Sequence, residues 1–361
     1  MQPLSSIKVL DFTTLLPGPL ATLILAEAGA DVLKIERPAT GDDMRSFPPA
    51  IASESVLFAL LNRGKRSLAL DLKAADAWPA LEPLVRGADV LVEQFRPGVM
   101  DRLGLGYERL KEINPRLVYC SITGYGQDGP KAQTVGHDLT YLAEAGVLAQ
   151  ARLGAVPPVL AADIAGGAYP AVMNVLLALR QRDSTGLGCR LDIAMAEQSL
   201  TFAVGGLAEL WTTGRSPAPG GWLLTGGSPR YQLYATSDGQ WVAAAPLEEK
   251  FWQRFCLLID LPAGLRDDRR DPEATRAGVA RRIAAEPAER WRRLFAGEDV
   301  SAAVVATLEE AVADPQIAAR GVLAHRLAVG GQEMPALPVP VAADFRRPAE
   351  IKPAPALGAS R

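Results

Sequence analysis

Only two histidines occur in the 361 residues, His137 and His325, and the first lies in the run Gly136-His137-Asp138-Leu139-Thr140-Tyr141. An imidazole titrates near neutral pH and can accept a proton. A second proton carrier, Asp163, stands in Ala161-Ala162-Asp163-Ile164-Ala165-Gly166-Gly167, where little side-chain bulk surrounds it. After Asp138, the apolar positions Leu139, Leu142, Ala143, Gly146 and Val147 recur at helical spacing. Asp138 is thus the expected N-cap, with His137 just ahead of the helix. Pro157 to Ala162 reads as a short apolar strand, and Tyr169, Val172, Met173, Leu176, Leu177 and Leu179 as a buried helix. Two proton carriers at successive helix starts fit general acid–base work on one substrate atom. A third carboxylate, Glu248 or Glu249, follows Pro246-Leu247. Either would cap the next helix, and either could orient the imidazole.

The elements that must position these groups follow from the pattern along the chain. Residues 7–13 and 31–37 read as strands joined by a helix that runs from Leu16-Pro17-Gly18-Pro19 to Gly29. Strands over 67–72, 89–95 and 117–123 alternate with helices over 75–87 and 99–113. Such alternation implies an α/β fold with a Rossmann-like, mostly parallel sheet, whose ligands bind outside the carboxyl ends of the strands. Glu36 occupies the place of a ribose-binding acid, but Thr14-Leu15-Leu16-Pro17-Gly18-Pro19 is not a glycine fingerprint, so NAD and FAD are rejected. Arg37, Lys65 within Asn62-Arg63-Gly64-Lys65-Arg66, and Arg96 are expected on one rim as a phosphate cradle.

A strand over 189–193 and a helix from Ala194 to about Trp211 complete a large domain over residues 1–211. The Gly- and Pro-rich stretch 212–224 reads as a linker. Two strands around Ser237-Asp238-Gly239-Gln240 form a hairpin, and residues 225–320 form a smaller α+β domain. Residues 321–361 are expected to return and pack on the large domain.

A net charge of −3 argues against non-specific nucleic-acid binding. Cys120, Cys189 and Cys256 match neither a disulfide framework nor a zinc motif, so a cytoplasmic setting is expected. No targeting segment is visible, and the apolar run around Val172–Leu179 is too short to span a bilayer, so no membrane partner is expected.

The segments Leu16-Pro17-Gly18-Pro19, Ala28-Gly29-Ala30-Asp31-Val32, Glu36-Arg37-Pro38, Asn62-Arg63-Gly64-Lys65-Arg66, Phe95-Arg96-Pro97-Gly98 and Gly124-Tyr125-Gly126 occur in one order. Together they resemble the family III CoA-transferase (CaiB/BaiF) group over nearly the whole chain, and within it the racemases of α-methylacyl-CoA. In the transferases, the position of Asp138 is the nucleophile. In the racemases, a Gly-His-Asp motif and an aspartate in an Ala-Asp-x-x-Gly-Gly setting supply the two proton carriers. Gly136-His137-Asp138 and Ala162-Asp163-Ile164-Ala165-Gly166-Gly167 match that pattern. The glutamate that pairs with the histidine resembles Glu248.

The resemblance further implies that the CoA nucleotide is held by Arg37, the stretch Ala69, Leu70, Asp71 and Leu72, Arg96, and the loop carrying Gly136, Leu139 and Tyr141. It implies an interlocked homodimer and no metal or redox cofactor beyond the coenzyme A of the substrate. Racemisation or epimerisation of 2-methylacyl-CoA thioesters through an enolate is the leading reading. The alternatives are CoA transfer through an acyl-Asp138 intermediate and a non-catalytic CoA-binding paralogue. The enolate oxygen is expected to meet backbone N–H groups at the helix start of Asp163.

Overall fold

The computed structural model describes residues 2–152, 154–346 and 350–360. It forms a mixed α/β fold that divides into two compact units. One comprises residues 1–145, 156–201 and 316–361; the other comprises residues 146–155 and 202–315, so the segment 212–224 lies inside the second.

The first unit is built on six parallel strands: β1 (Lys8–Phe12), β2 (Asp31–Glu36), β3 (Arg66–Ala69), β4 (Val90–Glu93), β5 (Val118–Thr123) and β6 (Arg190–Ala194). Their spatial order is β3-β2-β1-β4-β5-β6. β4 and β5 are buried at every residue, which is the mark of strands covered by helices on both faces. One side of the sheet packs Leu10, Phe12, Leu33, Ile35, Leu91 and Tyr119 against Leu81, Val85 and Leu110. These last three lie on helices α3 (Ala77–Gly87) and α5 (Tyr107–Ile113). On the other side lies α1 (Pro17–Glu27), buried along its full length and packed against α2 (Val56–Asn62).

The helix expected over 99–113 is two helices, α4 (Val99–Arg102) and α5. Gly104, at φ +70°, ends the first in the left-handed conformation that only glycine adopts cheaply. The strand expected over Pro157–Ala162 is not formed. Residues 156–160 are irregular, and α7 (Ala161–Asp163) runs into a π-helical turn, Ile164–Ala168, and then into α8 (Tyr169–Thr185).

The run Ala161–Thr185 spans 25 residues and holds an 18-residue window of mean hydropathy 1.4, long and apolar enough by composition to cross a bilayer. The helix is longer than the apolar run around Val172–Leu179, because the π turn Ile164–Ala168 continues it toward Ala161. The run packs on α1, β5 and β6, the place of a core helix. Its buried side carries Ala171, Val175, Ala178 and Leu179, whereas Tyr169, Met173, Leu176 and Leu177 are exposed, contrary to the buried helix expected from them.

The helix expected from Ala194 is α9 (Met195–Ser199), a 3-10 turn over Leu200–Ala203, and α10 (Val204–Thr213). The C-terminal segment from residue 316 belongs to the first unit. Its strands Arg326–Val329, Gln332–Pro335 and Ile351–Pro353 form a small sheet. Gly64 N–H donates to Pro353 O at 3.0 Å, and Ser360 N–H to Ser67 O at 2.8 Å.

The second unit has a three-stranded antiparallel sheet, with the expected hairpin Gln232–Ala235 and Trp241–Ala244 extended by Ala302–Val304. Its own core joins Trp252, Phe255, Val279, Ile283, Trp291 and Phe295.

Candidate active site

β2 and β4 leave β1 in opposite directions, so the carboxyl ends of β1 and β4 form the switch point where open α/β sheets bind ligands. A cavity of about 620 Å³ opens there, lined by Thr13, Thr14, Arg37, Leu70, Asp71 and Leu72 among others. Volumes of this size suit a nucleotide-sized ligand. Arg37 lies exposed at its rim, paired with Asp43 and donating to Gly41 O at 3.2 Å. Asp71 Oδ1 accepts the Lys73 N–H at 3.0 Å. Arg96, just beyond β4, is exposed on the same edge. Ala69 is covered instead: a side chain on Gly358 would stand 2.9 Å from its Cβ. Asp42, Asp43, Phe95 and Lys73 also line the cavity and escaped the sequence reading. The acidic pair after Gly41 was its only signal.

The expected cradle of cations does not form. Lys65 is wholly buried, its Nζ donating to Asp11 Oδ2 at 3.1 Å, Pro19 O at 2.9 Å, Thr22 Oγ1 at 2.8 Å and Asn62 Oδ1 at 2.8 Å. Burial pushes Lys65 down to about 8, with Asp11 opposing. Burial disfavours the Asp11 charge too, yet Lys34, Lys65, Thr13 and Thr22 hold it down to about 2. Arg63 is 2% exposed, fixed by Glu27 at 3.2 Å and Leu337 O at 2.7 Å. Arg66 begins β3 and pairs with Asp31 at the opposite, amino edge of the sheet. One polar run thus divides between core and far edge, and none of it reaches the rim. Glu36 is likewise engaged, by Arg45 at 2.7 Å and Ser67 Oγ at 2.7 Å.

Beyond the carboxyl end of β5 stands the second cluster. His137, not Asp138, is the N-cap of α6 (Asp138–Glu144), with φ −136° and ψ 172°. Thr140 Oγ1 accepts the His137 N–H at 2.9 Å, which sets the helix start one residue earlier than expected and frees the Asp138 carboxylate. That carboxylate, 7% exposed, accepts the Asp163 N–H through Oδ1 at 2.9 Å.

Tyr141 is buried, and its hydroxyl donates to Gly136 O at 2.6 Å. Its ring covers Gly124 and Gly136 so closely that a Cβ on either would stand 2.5 or 2.4 Å from Cε1. Tyr141 therefore shapes the loop ahead of His137, and its hydroxyl is taken. Leu139 is 41% exposed beside it.

The glycines after Asp163 have the same reason to be small. A Cβ on Gly166 would meet Met195 O of α9 at 2.8 Å, and one on Gly167 would meet Pro17 Cβ of α1 at 3.2 Å. These approaches seat the turn after Asp163 against α9 and α1. Burial pushes its carboxyl up to about 6, the Asp138 charge adds to this, and His137 works the other way. The structure thus brings His137, Asp138 and Asp163 together. The N–H groups expected to meet an enolate are engaged, Asp163 N–H by Asp138 and Ile164 N–H by Leu160 O at 3.0 Å. Among the described residues, the first-turn N–H groups of Asp138 and Leu139 in α6 meet no acceptor.

In the second unit Glu248 is the exposed N-cap of α11 (Glu249–Leu258) and makes no side-chain cap bond. Glu249 is held by Arg230 at 2.8 Å and Gln253 at 2.6 Å. Among the described residues, Glu249 is the one of the two whose carboxylate is engaged.

A parallel sheet of this order, with a ligand-sized crevice at its switch point and a titratable cluster beyond β5, is the setting in which open α/β sheets bind their ligands. The chain belongs to CoA-transferase family III, whose family model matches residues 4–361. It is 33% identical to acetyl-CoA:oxalate CoA-transferase of Acetobacter aceti, covering 94% of this chain and 89% of that protein. It is 35% identical to the alpha-methylacyl-CoA racemase of Homo sapiens, covering 86% and 79%. A CaiB/BaiF family protein from Brucella suis superposes with a TM-score of 0.83 at 29% identity, covering 99% of this chain and 96% of that one. Relatives of both activities are therefore similar over most of the chain.

Proposed function

We propose that this enzyme racemises or epimerises 2-methylacyl-CoA thioesters by 1,1-proton transfer at the α-carbon. The observation that carries the reading is the joining of His137 to a carboxyl, Asp163, pushed up to about 6 within one cluster. A proton-accepting ring beside a carboxyl that burial keeps protonated to higher pH than usual is what such a transfer requires. His137 removes the α-proton, with Glu248 orienting the ring, and Asp163 returns a proton to the other face. The enolate oxygen is met by α6 donors ahead of Leu139, where one such donor contributes about 3 kcal/mol. The CoA nucleotide lies in the switch-point cavity against Arg37, Leu70, Asp71 and Leu72, with Arg96 and Gly136 along its path.

The same reading includes a homodimer in which the partner covers the exposed stripe Tyr169, Met173, Leu176 and Leu177.

The test is incorporation of solvent deuterium at the α-carbon of a 2-methylacyl-CoA. Wild type exchanges, and His137→Ala and Asp163→Ala each lose roughly 10²–10⁴ in rate. CoA moving to free carboxylates with no exchange sinks the reading and favours the alternative, in which Asp138 attacks the thioester to form an acyl-aspartyl anhydride. The named activity of the Acetobacter relative keeps that alternative in view. The Asp138 Oδ1 engaged by Asp163 N–H weighs against it.

A further inference from the structure

Proton transfer gives Asp138 no step, yet it is the most firmly anchored side chain of the cluster. Its Oδ1 takes the Asp163 main-chain N–H across 25 residues of sequence. Asp163 stands directly before the π turn Ile164–Ala168. Such a turn inserts a residue into the helical register and so leaves the preceding residue's direction weakly fixed from its own side. A charge-assisted bond from α6 supplies the missing constraint.

We infer that Asp138 is the positioning residue of Asp163: its carboxylate clamps the main chain at the start of the π turn and holds the Asp163 carboxyl and the His137 imidazole as one pair. The functional consequence rests on the isomerase reading; the clamp itself does not.

The charge of Asp138 has a second effect. Two neighbouring carboxylates resist ionising together. Asp163 is pushed up by burial first and by Asp138 second, against the pull of His137. From α6, Asp163 is thus faced by His137 and Asp138, with the Tyr141 hydroxyl close enough to respond to it. The other packed element, α9, carries one charged residue, Glu197, which is exposed. Removing the Asp138 charge therefore lowers the pH at which Asp163 releases its proton.

Two substitutions separate clamp from charge. Asp138→Asn keeps an acceptor oxygen and removes the charge, whereas Asp138→Ala removes both. Amide hydrogen exchange at Asp163 and the pH titration of its ¹³C carboxyl signal read them directly. The Asp163 amide should be protected in wild type and Asp138→Asn and exchange at least tenfold faster in Asp138→Ala. The carboxyl midpoint should fall by about half a pH unit or more in Asp138→Asn. In deuterium incorporation, the alkaline limb of the Asp138→Asn rate profile, set by ionisation of the Asp163 acid, should move to lower pH with KM unchanged, and Asp138→Ala should lose at least tenfold in kcat. Equal amide exchange in wild type and Asp138→Ala, or superimposed carboxyl titrations, overturns the inference. A wild type that exchanges no α-hydrogen but shows both expected NMR results sinks the isomerase reading and leaves the clamp standing.

Discussion

Replacing Lys65 by methionine separates a structural cation from a ligand-binding one. The side chain is wholly buried and supplies four donor contacts, of 2.8 to 3.1 Å, to Asp11, Pro19, Thr22 and Asn62. Methionine preserves the length of the stem and removes all four. Asp11, also wholly buried, then keeps Lys34 as its remaining charge partner, with Thr13 and Thr22 as donors. Breaking one side of a buried ion pair costs about 3–5 kcal/mol, and the surviving Lys34 places this case near 3.

The pH dependence has a definite sign. Asp11 is depressed in the folded state, so its contribution is present above the ordinary carboxylate value of 3.8 and lost as pH falls through about 2. The gap between wild type and Lys65→Met should therefore narrow in acid. Urea denaturation followed by circular dichroism measures the stability, and calorimetric titration with CoA measures the affinity. Arg37→Ala is the counterpart, since Arg37 is 59% exposed at the cavity rim. It should weaken CoA binding by about tenfold or more, with little loss of stability. A Lys65→Met protein within about 0.5 kcal/mol of wild type, but as weak in CoA binding as Arg37→Ala, would refute the buried-hub account.

Other outcomes follow from the same geometry. Burial pushes Glu93 up to about 7, so its native state favours the neutral form, and the contribution present below about 4.5 is lost as pH rises through 7. Relative to Glu93→Gln, wild type should lose about 3 kcal/mol across that window, measured as urea stability at pH 5 and pH 8; parallel profiles would count against it. Gly124→Ala places a methyl group 2.5 Å from Tyr141 Cε1. It should cost about 1–3 kcal/mol by overpacking and slow α-hydrogen exchange by shifting the loop of His137. Unchanged turnover in that variant would separate the loop from the chemistry. Glu248→Gln should slow exchange while Glu249→Gln mainly loosens Arg230, and thermal denaturation beside the exchange assay distinguishes the two.

The chain by itself determined the alternation of strands and helices, because burial on both faces of a parallel sheet writes long apolar runs that are local in sequence. It determined the family through segments in a fixed order, and it marked His137 and Asp163 because so few titratable groups stand in such company. Periodicity alone misplaced three features. The apolar positions of α8 were read as its buried face, since spacing gives a stripe but not which neighbour it meets. The segment before Asp163 was read as a strand, since apolar content does not distinguish a short strand from the lead-in to a helix. Asp138 was read as a cap, since a cap and a bond to a distant main chain use the same carboxylate.

Tertiary structure alone decided which charges face solvent. Arg37 and Lys65 are equally polar as letters, yet one borders a cavity and the other is enclosed with Asp11, because strand order and the packing of α1 set the environment of each. It also paired Arg230 with Glu249, and it joined residues 138 and 163 by a bond that neither segment encodes alone. Local pattern specifies elements; long-range packing specifies the dielectric and the partners around each titratable group, and these govern its chemistry.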